Sequence, residues 1–148
     1  MIITLSGVTG VGKSYLKKEI EDKLGIKAQT IVTTRTKREG EQDGVDKKFV
    51  TDEEFERLKI NKDIVVTFEF LGNKYGYQKK EMESRKNSIV ELHYSTIYQF
   101  KKEVKNTFSV YMIPKNIELA KQKLKERQLP KEVEKLRLEE IEEHINNF

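Results

Sequence analysis

Eight consecutive residues, Gly7 to Ser14, read GVTGVGKS and fit the spacing Gly-x-x-x-x-Gly-Lys-Ser. Each fixed position has a physical task. Glycines at 7 and 12 let the main chain turn where a side chain would clash, so several N–H groups can point into one concavity and cradle phosphate oxygens. Lys13 can reach the β- and γ-phosphates of a nucleotide, and the Ser14 hydroxyl can take one coordination position of Mg²⁺. The spacing predicts a nucleoside-triphosphate site built from the main chain of Gly7, Val8, Thr9, Gly10, Val11 and Gly12 and the side chains of Lys13 and Ser14.

Arginine usage is a second signal. Of 29 Lys and Arg residues, only six are Arg, and they stand at 35, 38, 57, 85, 127 and 137. Arg offers a planar fork that grips phosphate bidentately, which Lys cannot do. Arg35 and Arg38 lie three apart in TTRTKREGE, and Arg127 and Arg137 flank a break at Pro130. Arg57 and Arg85 read as ordinary surface charge.

The flanking segments supply the scaffold for these groups. Met1–Ser6 is a β-branched run that predicts a buried strand. Leu16, Ile20 and Leu24 recur every four residues after the loop, and Gly25 sits where a helix C-cap is expected. Strand, glycine loop and helix together aim a helix N-terminus at an anion. A second strand is expected over Gln29–Thr34, then a polar loop from Arg35 to Lys47. Thr51 with Glu54 forms a capping box for a short helix through about Lys59. Asp63–Leu71 predicts a strand with Ile64, Val66, Phe68 and Phe70 on one face, turning at Gly72-Asn73. Ser88–His93 and Thr107–Ile113 predict further strands, the first followed by a helix to about Lys105. Ile117, Ala120 and Leu124 mark another helix, and Val133, Leu138, Ile141 and Ile145 mark the last. Alternating strands and helices argue for a parallel α/β sheet.

Length and composition narrow the class. With 148 residues the chain is expected to form one domain. No apolar stretch approaches the ~20 residues of a membrane span, and no leader segment is expected. Cysteine is absent, which excludes disulfides and thiolate metal sites and fits a cytoplasmic protein. His93 and His144 lack metal-ligand spacing. The net charge of +4 arises from 36% charged residues with both signs interleaved. That pattern predicts solvated helix faces rather than a nucleic-acid stripe.

Taken together, GVTGVGKS, TTRTKREGEQDGVDKKFV, GNKYG and a late helix ending in KER resemble, in order, the guanylate kinases, over nearly the whole chain. The second block is the most specific: Thr33-Thr34-Arg35, Arg38, Glu39-Gly40-Glu41, Asp43-Gly44, Asp46 and Phe49-Val50 fall at that family's spacing. The resemblance implies a P-loop parallel sheet flanked by helices, carrying an inserted nucleoside-monophosphate-binding subdomain and a short lid. The core would comprise residues 1–33 and 79–126, the insert about 34–78, and the lid with the last helix about 127–148. It also implies transfer of the γ-phosphate of ATP, with Mg²⁺, to a nucleoside monophosphate, GMP first among them. Lys13, Arg38, Arg127 and Arg137 would then be catalytic. Arg35, Arg38, Lys47, Tyr75, Tyr77, Glu91 and His93 would hold the acceptor.

This chain departs from the family on the base side. The family reads guanine with a hydroxyl residue at the position of Ile31 and a Glu at the position of Val66. Glu69 is no simple substitute, because an odd separation along a strand faces the opposite way. The family's paired aspartates are Glu91 and His93, a Tyr is Lys47, and a lid Arg is Lys123. The sequence also ends before a last strand and helix that the family carries. A related kinase with another acceptor therefore stays open, as does a nucleotide-binding or interaction protein without transfer activity.

Overall fold

A computed structural model describes residues 1–84 and 87–146. Arg85 and the side chains of His144 and Ile145 lie outside the described residues.

Four parallel strands form the core sheet in the order β2-β7-β1-β8. They are β1 (Ile2–Gly7), β2 (Lys27–Ala28), β7 (Ser88–Glu91) and β8 (Thr107–Met112). β1 lies between β7 and β8, so Leu5 is fully buried and Ile2 nearly so. Helices α1 (Lys13–Leu24), α4 (Ile97–Glu103), α5 (Ile117–Lys125) and α6 (Lys131–Asn146) accompany this sheet. A single turn of 3-10 helix over Tyr94–Thr96 precedes α4. Ligands of such sheets bind beyond the carboxyl ends of the strands. Gly7, Glu91 and Met112 are those ends here.

A second sheet has the order β4-β3-β6-β5. It comprises β3 (Ile31–Thr33), β4 (Lys48–Phe49), β5 (Ile64–Phe70) and β6 (Asn73–Gln78), and it carries α2 (Asp52–Ile60) and α3 (Lys79–Ser84). The expected strand over Gln29–Thr34 is thus shortened to Ile31–Thr33, and a separate two-residue strand precedes it. Lys27–Ala28 pairs with β7 in the core sheet, whereas Ile31–Thr33 pairs antiparallel with β6. The change of sheet is bridged at Gln29, whose amide nitrogen bonds the Ile89 carbonyl and whose buried side chain bonds the Ser88 hydroxyl.

Other local expectations shift for identifiable reasons. Thr51 caps α2 as its capping box predicts, accepting the Glu54 amide at 3.2 Å. A register shift between Ile64 and Val66 breaks the simple alternation of β5. Such a bulge lets residues two apart, which would otherwise share a face, point to different faces. Ile64 packs with Val32 and Phe55 under α2, while Val66 joins the cluster containing Ile31 and Tyr77. Glu69 is exposed while Val66 is fully buried, as their odd separation requires. The hairpin turns at Leu71-Gly72, one residue before the expected pair, with φ of 52° and 70°. Positive φ at both central residues matches the twist of the flanking strands. Leu24 is 67% exposed, because a four-residue repeat drifts about 40° per step around a helix. Helix α3 carries no periodic signal and was not anticipated.

Candidate active site

The phosphate loop occupies the turn from β1 into α1. Gly7, Gly10 and Gly12 all have positive φ, at 141°, 84° and 99°. At Gly7 a Cβ would collide with the Met112 carbonyl, and at Gly10 it would lie 2.8 Å from the Ala120 carbonyl. Two of the loop's glycines are therefore needed for close approach as well as for φ. Val8 anchors the loop from beneath, packed with Leu124 and Ile141. Gly12 is the N-cap of α1 and offers no side-chain cap, so the first N–H groups of the helix face outward unclaimed by a capping side chain.

A cleft of about 910 Å³ opens in front of the loop. It is lined by Gly7, Thr9, Gly10, Gly12, Lys13 and Ser14 on one side, by Arg35, Arg38, Lys47 and Tyr75 on another, and by Glu91, His93, Arg127 and Arg137 between them. These groups come from the phosphate loop and the start of α1, the β3–β4 loop, β6, the end of β7, the α5–α6 break and α6. Of the residues that sequence reasoning assigned to the site, all line this cleft except Val8, Val11 and Tyr77; Val8 and Val11 pack toward the cluster of Leu124 and Ile141 instead. A groove of about 1070 Å³ behind the loop, lined by Gly10, Val11 and residues 114–121, carries none of the arginines.

Within the cleft, Lys13 Nζ donates to the carbonyls of Gly7 at 2.7 Å and Val8 at 2.9 Å, with Glu91 Oε1 at 4.0 Å. Burial pulls its ammonium below the ordinary lysine range; Glu91 and Glu140 oppose this, and Arg127 and Arg137 add to it. Lys47 is lowered likewise by burial, with Glu91 opposing and Lys17 and Arg35 adding. Arg38 is lowered by burial and then by Arg35, with Arg127 adding. Arg137 is lowered by burial, with Arg38 and Arg127 adding and Glu140 opposing. These cations feel one another because they crowd one concavity. That is the field a multiply charged anion relieves.

Arg35 is held firmly. Its Nη2 lies 2.7 and 2.9 Å from the two Glu41 oxygens, and its Nη1 donates to the Thr36 carbonyl at 2.7 Å. Glu41 also accepts the Arg38 amide at 2.8 Å. The Arg38 guanidinium itself has no hydrogen bond or ion pair among the described residues. Glu41 was seen only as part of the block; its position six residues after Arg35 was the available signal for its holding role.

Tyr77 proves to be a strut. It is 1% exposed, its hydroxyl accepts the His93 amide at 3.2 Å and donates to the Glu91 carbonyl at 3.4 Å, and burial pushes its pKa above the ordinary tyrosine value. It fixes the strand end that carries Glu91 and His93. His93 Nδ1 lies 2.8 Å from the Ser95 hydroxyl, and its ring stacks on Phe68 at 4.9 Å. Phe68 also stacks on Tyr75 at 4.9 Å. The Phe68 and Phe70 rings line the cleft and were missed, since their alternation signalled only a strand face.

The guanylate kinase family profile matches residues 1–148. The chain belongs to the guanylate kinase family. It is 32% identical over 132 residues to a guanylate kinase of Mesoplasma florum, covering 85% of this chain and 44% of that protein. A guanylate kinase of Bacillus anthracis is 33% identical over 130 residues, covering 84% of this chain and 63% of the relative. One from Rickettsia bellii is 33% identical over 132 residues, covering 86% and 69%. The crystal structure of a guanylate kinase from Anaplasma phagocytophilum superposes with a TM-score of 0.68 at 28% identity, covering 83% of this chain and 65% of that one. The chain thus spans about half to two thirds of the length of the first of these relatives. Among the described residues no helix is long and apolar enough to cross a membrane, and no cluster of three or more His, Cys, Asp or Glu has metal-site geometry.

Proposed function

We propose that this chain catalyses transfer of the γ-phosphoryl group of ATP to GMP, giving ADP and GDP. The observation that carries the reading is the convergence of Lys13, Arg38, Arg127 and Arg137 on the cleft in front of the phosphate loop. Phosphoryl transfer needs little covalent help from a protein; positioning and positive charge supply the rate. The loop N–H groups and Lys13 bind the donor phosphates, which displace the Gly7 and Val8 carbonyls as partners of the amine. Arg35 and Arg38 hold the acceptor phosphate, with Lys47 and Tyr75 beside it. An acceptor phosphate oxygen attacks the γ-phosphorus as its bond to the bridging oxygen breaks. Arg127 and Arg137 balance the charge that spreads over the group in flight.

Mg²⁺ fits the donor set. Ser14 stands beside Lys13 on the cleft wall, and Mg²⁺ is ordinarily held by few protein ligands and the substrate's own phosphates. Bound there, it would neutralise phosphate charge. We infer a cytoplasmic location from the substrates alone, since ATP and nucleoside monophosphates are pooled there.

The test is ADP formation by purified protein with Mg·ATP and a panel of ribo- and deoxynucleoside monophosphates, with Lys13→Ala as control. Turnover with GMP, abolished in the control, is expected. ATP binding without turnover on any acceptor would overturn the kinase reading.

A further inference from the structure

We infer that Glu140 is a positioning residue for transfer, orienting Arg137 against the phosphate loop; this rests on the kinase reading above. Glu140 lies on α6 one turn after Arg137, and its side chain is only 10% exposed. A carboxylate so near a phosphate cleft opposes substrate charge unless it is engaged by cations. Its surroundings show that engagement. Glu140 Oε2 lies 3.9 Å from Arg137 Nη1 and accepts the Thr9 hydroxyl at 3.4 Å. Thr9 in turn accepts Arg137 Nη1 at 2.6 Å. Glu140 Oε1 faces His93 Nε2 at 3.9 Å.

Three elements are thereby tied at one point: the phosphate loop through Thr9, the end of β7 through His93, and α6 through Arg137 and Glu140. Arg137 is also placed over the Phe70 ring at 4.8 Å, which fixes the plane of its fork. Its Nε is buried with no hydrogen-bond partner among the described residues. A guanidinium already held on Nη1 and by the ring beneath it can meet a phosphate oxygen without reorganising. Glu140 supplies the opposing charge that keeps the fork in that pose when the cleft lacks phosphate.

The test is a double-mutant cycle on steady-state transfer from Mg·ATP to GMP, using Glu140→Gln, Glu140→Ala, Arg137→Ala and Glu140→Ala with Arg137→Ala. Misplacing a group that stabilises the reacting phosphoryl costs on the order of 10- to 100-fold in kcat. That loss is expected for both Glu140 variants, with KM for ATP and GMP within about threefold of wild type. In the Arg137→Ala background, losing Glu140 should cost less than about threefold, because the group it positions is gone. Glu140→Gln keeps the shape and hydrogen-bonding reach of the side chain and guards against a folding defect in the alanine variant. Wild-type kcat in Glu140→Gln, losses that multiply in the double mutant, or a loss expressed in KM alone would each overturn the proposal while leaving the kinase reading standing. An inactive wild-type protein would sink both.

Discussion

Glu41 holds Arg35 with both carboxylate oxygens, at 2.7 and 2.9 Å, and with one of them also takes the Arg38 amide at 2.8 Å. One side chain thus sets the spacing of the two arginines proposed to hold the acceptor phosphate. Burial alone would raise the Glu41 pKa, but its bonds to Arg35 and the Arg38 amide hold it below the usual carboxylate value. Glu41→Gln is expected to raise KM for the acceptor about tenfold, since charge-assisted hydrogen bonds are worth roughly 1.5–3 kcal/mol. The ATP dissociation constant should be unchanged. Nucleotide titrations of both ligands check this, and an equal loss on the donor side would contradict it.

Arg38 presents a guanidinium with no hydrogen bond or ion pair among the described residues, next to one that Glu41 and the Thr36 carbonyl hold. Arg38→Lys keeps the charge and removes the fork. Acceptor kcat/KM should fall far more than ATP affinity, and steady-state kinetics beside ATP binding measures the contrast.

The register of the second sheet aligns Ile31, Tyr77 and Val66 in one cross-strand row. Two of these stand where the family reads guanine, and all three are buried, with the Tyr77 hydroxyl already used. A site that hydrogen-bonds a base rejects analogues lacking the bonding group by large factors, whereas apolar contact discriminates weakly. IMP, which lacks the exocyclic amine of GMP, is therefore expected to be used with kcat/KM within about tenfold of GMP. A preference for GMP above a thousandfold would show that this row does not set specificity.

Tyr77 separates support from ligand contact. Tyr77→Phe removes one hydroxyl that bridges Glu91 and His93 main chain. It should lower unfolding free energy by about 1–3 kcal/mol, the cost of unpaired buried groups, and leave acceptor KM within about twofold. Denaturant unfolding and kinetics on the same preparation decide. A large rise in KM with unchanged stability would return Tyr77 to the acceptor site.

Gly10 approaches the Ala120 carbonyl and has φ of 84°. Gly10→Ala is expected to cost about 1–3 kcal/mol of stability, because the new methyl group meets main chain and the left-handed conformation disfavours it. Thermal unfolding should register this, together with weaker ATP binding as the loop moves off α5.

Much of this was written locally. The phosphate loop could be read from GVTGVGKS because each of its positions answers to a main-chain requirement within a few residues, and positive φ at Gly7 and Gly12 follows from it. Strands β1, β7 and β8 and the Thr51 cap were legible for the same reason, since β-branched runs and capping pairs act over short range. Arg35 and Arg38 stood out from their block as a pair, and both line the cleft, but the hold of Glu41 on them could not be seen without the loop's path.

What tertiary structure alone decided lies wherever the partners are distant in sequence. Ile31–Thr33 joined the second sheet because β6 offered it antiparallel partners, a choice no strand propensity encodes. Tyr77 became a strut because its hydroxyl met main chain at residues 91 and 93. Glu140 reads in isolation as one more acidic residue on a solvated helix. Only packing of α6 against the phosphate loop brings it to Thr9, 131 positions away, and makes it part of the site. Short-range stereochemistry specified the glycine loop, whereas long-range packing specified the charges that face it.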